Sequence, residues 1–113
     1  MFNISIVLYN PNWNEVKSLV TELVQARSLR KLYLIDNSPS ETKCEKLSPK
    51  VRYIWNKGKN LGYGAAHNIA IRESVWYNTP FHLVMNADII VHHEDLERLH
   101  QFMIDNPEVG QVM

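Results

Sequence analysis

Apolar runs and polar, turn-forming stretches alternate along the chain with two different periods. Residues 4–9, ISIVLY, are β-branched and apolar, which predicts a strand covered on both faces. The stretch NPNWNEVKSLVTELVQARS then opens on Asn and Pro and sets Val16, Leu19, Val20, Leu23 and Val24 on one stripe, the period of an amphipathic helix. KLYLID (31–36) repeats the buried-strand pattern, and NSPSETKCEKL supplies turn chemistry followed by a short polar helix or loop. VRYIW (51–55) reads as a third strand. After the glycine-rich NKGKNLGYG, Ala65, Ala66, Ile69 and Ala70, extended by Val75, predict a closely packed helix that ends before Pro80. FHLVMN, from residue 81, is the fourth strand. HEDLERLHQFMID (93–105) places Leu96, Leu99, Phe102 and Met103 at helical spacing, with Glu94 and Asp95 suited to the positive N-terminal end of the dipole. NPEVGQVM reads as a turn entering a further strand.

Strands alternating with helices predict an α/β layer architecture: a mostly parallel sheet with right-handed crossovers and helices on both faces. Ligands of such sheets collect at the carboxyl ends of the strands. The residues that follow the four apolar runs are Tyr9-Asn10, Asp36-Asn37-Ser38, Asn56 and Asn86-Ala87-Asp88. Hydrogen-bonding groups are therefore delivered to one edge. Any one of these Asn or Asp residues could simply start a turn. Their convergence, together with the glycine loop, points to a binding site.

Composition narrows the function classes. At 113 residues and 45% apolar residues, with three Trp, five Tyr and three Phe, the chain is one domain able to bury a core. Twelve Lys plus Arg balance twelve Asp plus Glu, so the chain has none of the global basic field on which nucleic-acid binders rely. Cys44 is the single cysteine, which suits a reducing cytoplasm. No signal peptide is visible and no run is long enough to span a membrane.

The residues also resemble a known family, the family 2 glycosyltransferases with the Rossmann-like GT-A nucleotide-binding fold. The likeness rests on SIVLYN, LYLIDNSPS, NKGKNLGYGAAHNIAIRES and LVMNADIIV, in this order and at βα-unit spacing. Within the family it looks most like the rhamnosyltransferase-like branch of cell-surface polysaccharide synthesis, in which Asn-x-Asp stands for Asp-x-Asp. The resemblance implies that Asp36 accepts the ring N–H of a pyrimidine, with Tyr9 and Asn10 beside the base. It implies that Gly62, Gly64 and Ala65 let backbone approach the nucleotide, with Asn60 and Asn68 flanking that loop. Asp88 matches the metal ligand, and Asn86 the position facing the ribose or the water shell of a Mg²⁺ or Mn²⁺ ion.

The expected partners are accordingly a UDP- or dTDP-sugar as donor and a saccharide or lipid-linked saccharide as acceptor, joined by hexosyl or rhamnosyl transfer with inversion. The resemblance also implies that a general base lies beyond Met113, so that the chain is the N-terminal, donor-binding part of a longer cytoplasmic enzyme at the inner face of the membrane. A sheet cut at VGQVM favours self-association into a homo-oligomer. Two other classes stay open: a non-catalytic nucleotide-sugar-binding module, and an NAD-dependent oxidoreductase suggested by GYGAAH. The second is the weaker, because His67 stands where a Gly or Ala belongs and the motif does not follow the first strand. His67 reads either as a phosphate contact or as a core or capping histidine. His92, His93 and His100 read as a solvated helix face rather than a zinc site, and Trp13, Trp55 and Trp76 as packing residues.

Overall fold

A computed structural model describes residues 1–41, 48–59, 62–76, 81–87 and 91–106. Four strands, β1 (Phe2–Leu8), β2 (Leu29–Asp36), β3 (Val51–Trp55) and β4 (Phe81–Met85), form one sheet in the order β3-β2-β1-β4. Every pairing is parallel. The register sets Leu8 beside Asp36 and Asp36 beside Trp55, while Ile6 pairs with Met85. All four strands therefore end at the same edge, as the alternating pattern predicts.

Three helices cover this sheet: α1 (Trp13–Leu23), α2 (Tyr63–Trp76) and α3 (His93–Asp105). Helix α1 starts where Asn12 caps it, its side-chain oxygen accepting from the amides of Asn14 and Glu15 at 3.0 and 3.4 Å. Its stripe Val16, Leu19, Val20 and Leu23 is buried against Ile4, Ile6, Leu8, Leu32 and Leu34. Each such side chain contributes about 1.5–3 kcal/mol by leaving water, and this face holds the larger core. On the other face Ala66 and Ala70 of α2 pack on Tyr33 and Ile35, where small residues let the helix approach closely.

Two expectations change. ISIVLY belongs to a strand that starts earlier, at Phe2, whose amide donates to the Ser28 carbonyl at 2.9 Å. That strand is not apolar on both sides: Asn3 and Ser5 are fully buried under the α2 face. The stripe on α3 is also less buried than its spacing suggests, since Leu96 is buried while Phe102 is 47% exposed.

Strand order reverses between β1 and β4. Progress from β1 through β2 to β3 runs one way across the sheet, and α2 carries the chain back so that β4 lies on the far side of β1. Crossovers that leave in opposite directions place their helices on opposite faces, which opens a crevice at the carboxyl ends of β1 and β4. Tyr9-Asn10 and Asn86 flank it.

Candidate functional site

Asp36, the last residue of β2, organises the carboxyl edge. It is fully buried, and both of its oxygens are engaged. Oδ1 accepts from the Ser38 amide at 2.9 Å, a local turn closed by the carboxylate itself. Oδ2 accepts from the hydroxyl of Tyr53, on β3. Ser38 carries the order onward. Its hydroxyl accepts from the Asn10 amide at 2.7 Å, and its carbonyl accepts from the Trp55 indole N–H at 3.1 Å. Asn10 takes a left-handed backbone, φ 45°, which asparagine tolerates better than most residues.

Asn37 ties this centre to the glycine loop. Its amide donates to the Leu8 carbonyl at 2.8 Å, its side-chain oxygen accepts from Asn56 Nδ2, and its own Nδ2 donates to the Gly62 carbonyl at 3.5 Å. Gly62 has φ +80°, a conformation that favours glycine. The same carbonyl accepts from the Ala66 amide at 3.2 Å, so Gly62 starts α2 as well as closing the loop. Asn10, Asp36 and Gly62, three positions separated in sequence, are thus joined in one hydrogen-bonded network through Ser38 and Asn37.

The remaining described site positions are Tyr9, Gly64, Ala65, Asn68 and Asn86. Tyr9 stands 56% exposed beyond β1. Gly64, Ala65 and Asn68 lie exposed on α2, and Asn86 is exposed just past β4. Among the described residues, and apart from its chain neighbours and its own helix backbone, no atom lies within 4 Å of where a Cβ at Gly64 would sit. Asn60 and Asp88 lie outside the described residues. Tyr53 was legible only as a strand residue; its role follows from a register that pairs it with Leu34, one repeat short of Asp36.

His67 is a core histidine in this structure. It is 3% exposed, and its Nδ1 lies 2.6 Å from Ser5 Oγ. The same hydroxyl lies 2.8 Å from Nε2 of His82 on β4. Burial lowers the pKa of both rings, and burial together with the nearby His67 brings His82 down to about 4.

His92, the N-cap residue of α3, and His93 and His100 within it divide differently from a uniform solvated face. His100 packs against Phe2 and Phe81, with ring centroids at 5.3 and 5.7 Å. At the start of the helix, Glu22 of α1 accepts from the His93 amide at 2.9 Å and contacts its Nδ1 at 3.1 Å, while Glu94 approaches Nε2 at 3.4 Å. The bond from the His93 amide, first among several interactions with that residue, lowers the Glu22 pKa. Among the described residues, Glu22, His93 and Glu94 bring metal-ligating atoms within 4.8 Å of one another. The two carboxylates face opposite nitrogens of one imidazole, and one ring offers a given ion only one nitrogen. The arrangement is a helix cap and a hydrogen-bonded bridge between helices.

The comparisons with known proteins agree with this architecture. The sequence profile of glycosyl transferase family 2 matches residues 4–113, and the chain belongs to that family. No curated protein matches the chain. Among solved structures, the crystal structure of S. aureus TarS 1–349 is similar, with a TM-score of 0.56 at 13% sequence identity. The likeness covers 93% of this chain and 32% of that one, so the chain spans about a third of the length of its structural neighbour. No helix of the described residues is long and apolar enough to cross a membrane.

Proposed function

We propose that this chain is the donor-nucleotide-binding part of a glycosyltransferase that moves a sugar from a UDP- or dTDP-sugar to a saccharide or lipid-linked saccharide acceptor, with inversion. The observation that carries this reading is the buried Asp36 at the centre of a network linking Asn10, Ser38 and Gly62 at the sheet's carboxyl edge. An acceptor-only carboxylate suits a base whose edge presents a ring N–H between carbonyls. Tyr9 offers an exposed ring beside it, and the open surroundings of Gly64 suit close approach by a diphosphate. Ala65 and Asn68, one turn apart on the exposed side of α2, extend that surface, and Asn60 precedes them in sequence.

Asn86, an exposed residue beside the β1–β4 crevice, carries a side-chain carbonyl, a hard oxygen donor of the kind Mg²⁺ and Mn²⁺ prefer. Asp88 and Asn86 would hold such an ion, which neutralises charge on the leaving diphosphate when bound. The Asn-Ala-Asp sequence favours the rhamnosyl-transferring branch, and the function belongs to cell-surface polysaccharide assembly in the cytoplasm. The chain supplies donor recognition, and the acceptor and its general base belong to a further part of the enzyme.

Calorimetry with UDP tests the reading. Asp36→Ala is expected to weaken binding by about 1.5–3 kcal/mol, the range for a hydrogen bond to a charged group. ADP and GDP are expected to bind the unaltered chain poorly. Circular dichroism separates loss of binding from loss of fold, and Asp36→Asn provides a shape-conserving second variant. Equal affinity for uridine, adenosine and guanosine diphosphates would overturn the assignment of this site.

A further inference from the structure

The site holds a buried hydrogen-bond donor with no acceptor among the described residues. Trp13 opens α1 at the sheet's carboxyl edge and packs on Tyr53, with ring centroids 6.0 Å apart and planes inclined by 51°. Its indole nitrogen is shielded from solvent and has no hydrogen-bond partner among the described residues. A buried N–H without an acceptor carries the full penalty of its lost hydration. Indole N–H groups normally find a partner when buried. Ordinary packing accounts for the ring of Trp13 but not for its nitrogen.

The neighbours of Trp13 make this vacancy specific. Tyr53, on which it packs, gives its hydroxyl to Asp36, and Asp36 has no exposed surface. A base can reach that carboxylate only by displacing something, and the Tyr53 hydroxyl is a side-chain donor bonded to it. A uracil or thymine edge carries a ring N–H flanked by two carbonyl oxygens. When its N–H takes the place of the tyrosine hydroxyl on Asp36, a carbonyl oxygen beside it falls where a donor is needed.

Resting on the donor-nucleotide reading above, we propose that Trp13 is a base-reading residue: its indole N–H donates to a carbonyl oxygen flanking the pyrimidine N–H accepted by Asp36, in a pocket opened by displacement of the Tyr53 hydroxyl. Binding then satisfies the buried indole N–H, and Tyr53 serves as the stand-in that holds Asp36 until the nucleotide arrives. The sequence alone gave Trp13 only a packing role, because an unsatisfied nitrogen is visible only once its surroundings are.

The test follows the indole N–H resonance of Trp13 by nuclear magnetic resonance in the full chain, assigned by through-bond correlation and checked by its absence in Trp13→Phe. Saturation with UDP is expected to move this resonance downfield, while pyrophosphate, which has no base, leaves it in place. Trp13→Phe, which keeps an aromatic ring against Tyr53, is expected to bind UDP about tenfold more weakly, the upper part of the range for one lost hydrogen bond. Its affinity for pyrophosphate is expected to stay unchanged, which shows that the variant is folded. A Trp13 resonance that stays in place at saturating UDP, or a Trp13→Phe chain that binds UDP as the wild type does, overturns the proposal while nucleotide binding itself stands. Failure of the wild type to bind UDP at all is a different result: it overturns the donor-nucleotide reading and this inference with it.

Discussion

Ser5 Oγ lies 2.8 Å from Nε2 of His82, joining β1 to β4 through side chains 77 positions apart in sequence, and it lies 2.6 Å from His67 as well. One hydroxyl thus bridges two imidazoles from two elements beneath the α2 face. The bridge works with neutral rings, because two imidazolium ions so close together would repel and would lose their hydration.

A pH dependence of stability follows. His82 titrates near 4 in the folded chain, against about 6.5 when unfolded, and the His67 pKa moves in the same direction. Between those values the unfolded chain binds protons that the folded chain refuses, so stability is full above about pH 6.5 and falls as pH drops toward 4. Allowing for solvent screening of this half-buried ring, the loss attributable to His82 is roughly 1–2 kcal/mol. Urea denaturation at pH 7 and pH 4.5 checks it. His82→Gln is expected to flatten the profile, and an unchanged slope in that variant would assign the acid sensitivity to other groups.

The glycines separate by mechanism. Gly58 has φ +82°, and a Cβ there would stand 2.9 Å from the Pro39 carbonyl oxygen, a backbone atom that cannot swing aside. Gly58→Ala is expected to cost about 1–3 kcal/mol from the left-handed backbone and the clash together. Gly64 has neither constraint and lies in α2, where alanine is the better helix former by about 0.5–1 kcal/mol. Gly64→Ala is therefore expected to hold or raise the melting temperature. If Gly64 is small to admit a nucleotide, the same change weakens UDP binding, so thermal melts and calorimetry on Gly64→Ala should move in opposite senses.

The fold was more legible in the sequence than the site was. VRYIW and HEDLERLHQFMID gave the bounds of β3 and α3, because a short β-branched run and a capped amphipathic stretch are local signals. The face-by-face character of β1 was not legible. Its polar residues Asn3 and Ser5 are both buried, and Ser5 meets His67 and His82, which arrive from distant elements; apolar periodicity carries no record of such partners. Likewise the spacing of Leu96, Leu99, Phe102 and Met103 shows that a helix has an apolar side, but not how much of that side is covered. At the site, Asp36, Asn10 and Gly62 were visible as strand-end and loop chemistry. Asn37 and Ser38 were visible there as well, but not the bonds by which they link these positions, and the place of Tyr53 on Asp36 depended on the strand register.

The all-parallel pairing constrains how the chain reaches this structure. No two strands can meet as a hairpin, so each must wait for a crossover to close. Closing β2 onto β1 needs only α1 and its turns, whereas β4 joins β1 after nearly the whole chain has been gathered, with Phe81 beside Phe2. Loop-closure entropy grows with the segment enclosed, so β1 and β2 are expected to pair early and β4 to dock late. Late-docking elements tend to open first under native conditions, and amide hydrogen exchange should find β4 less protected than β2. The crevice between β1 and β4 then has one firm wall and one that loosens on its own, and a ligand bridging Asn10 and Asn86 would slow exchange along β4 before anywhere else.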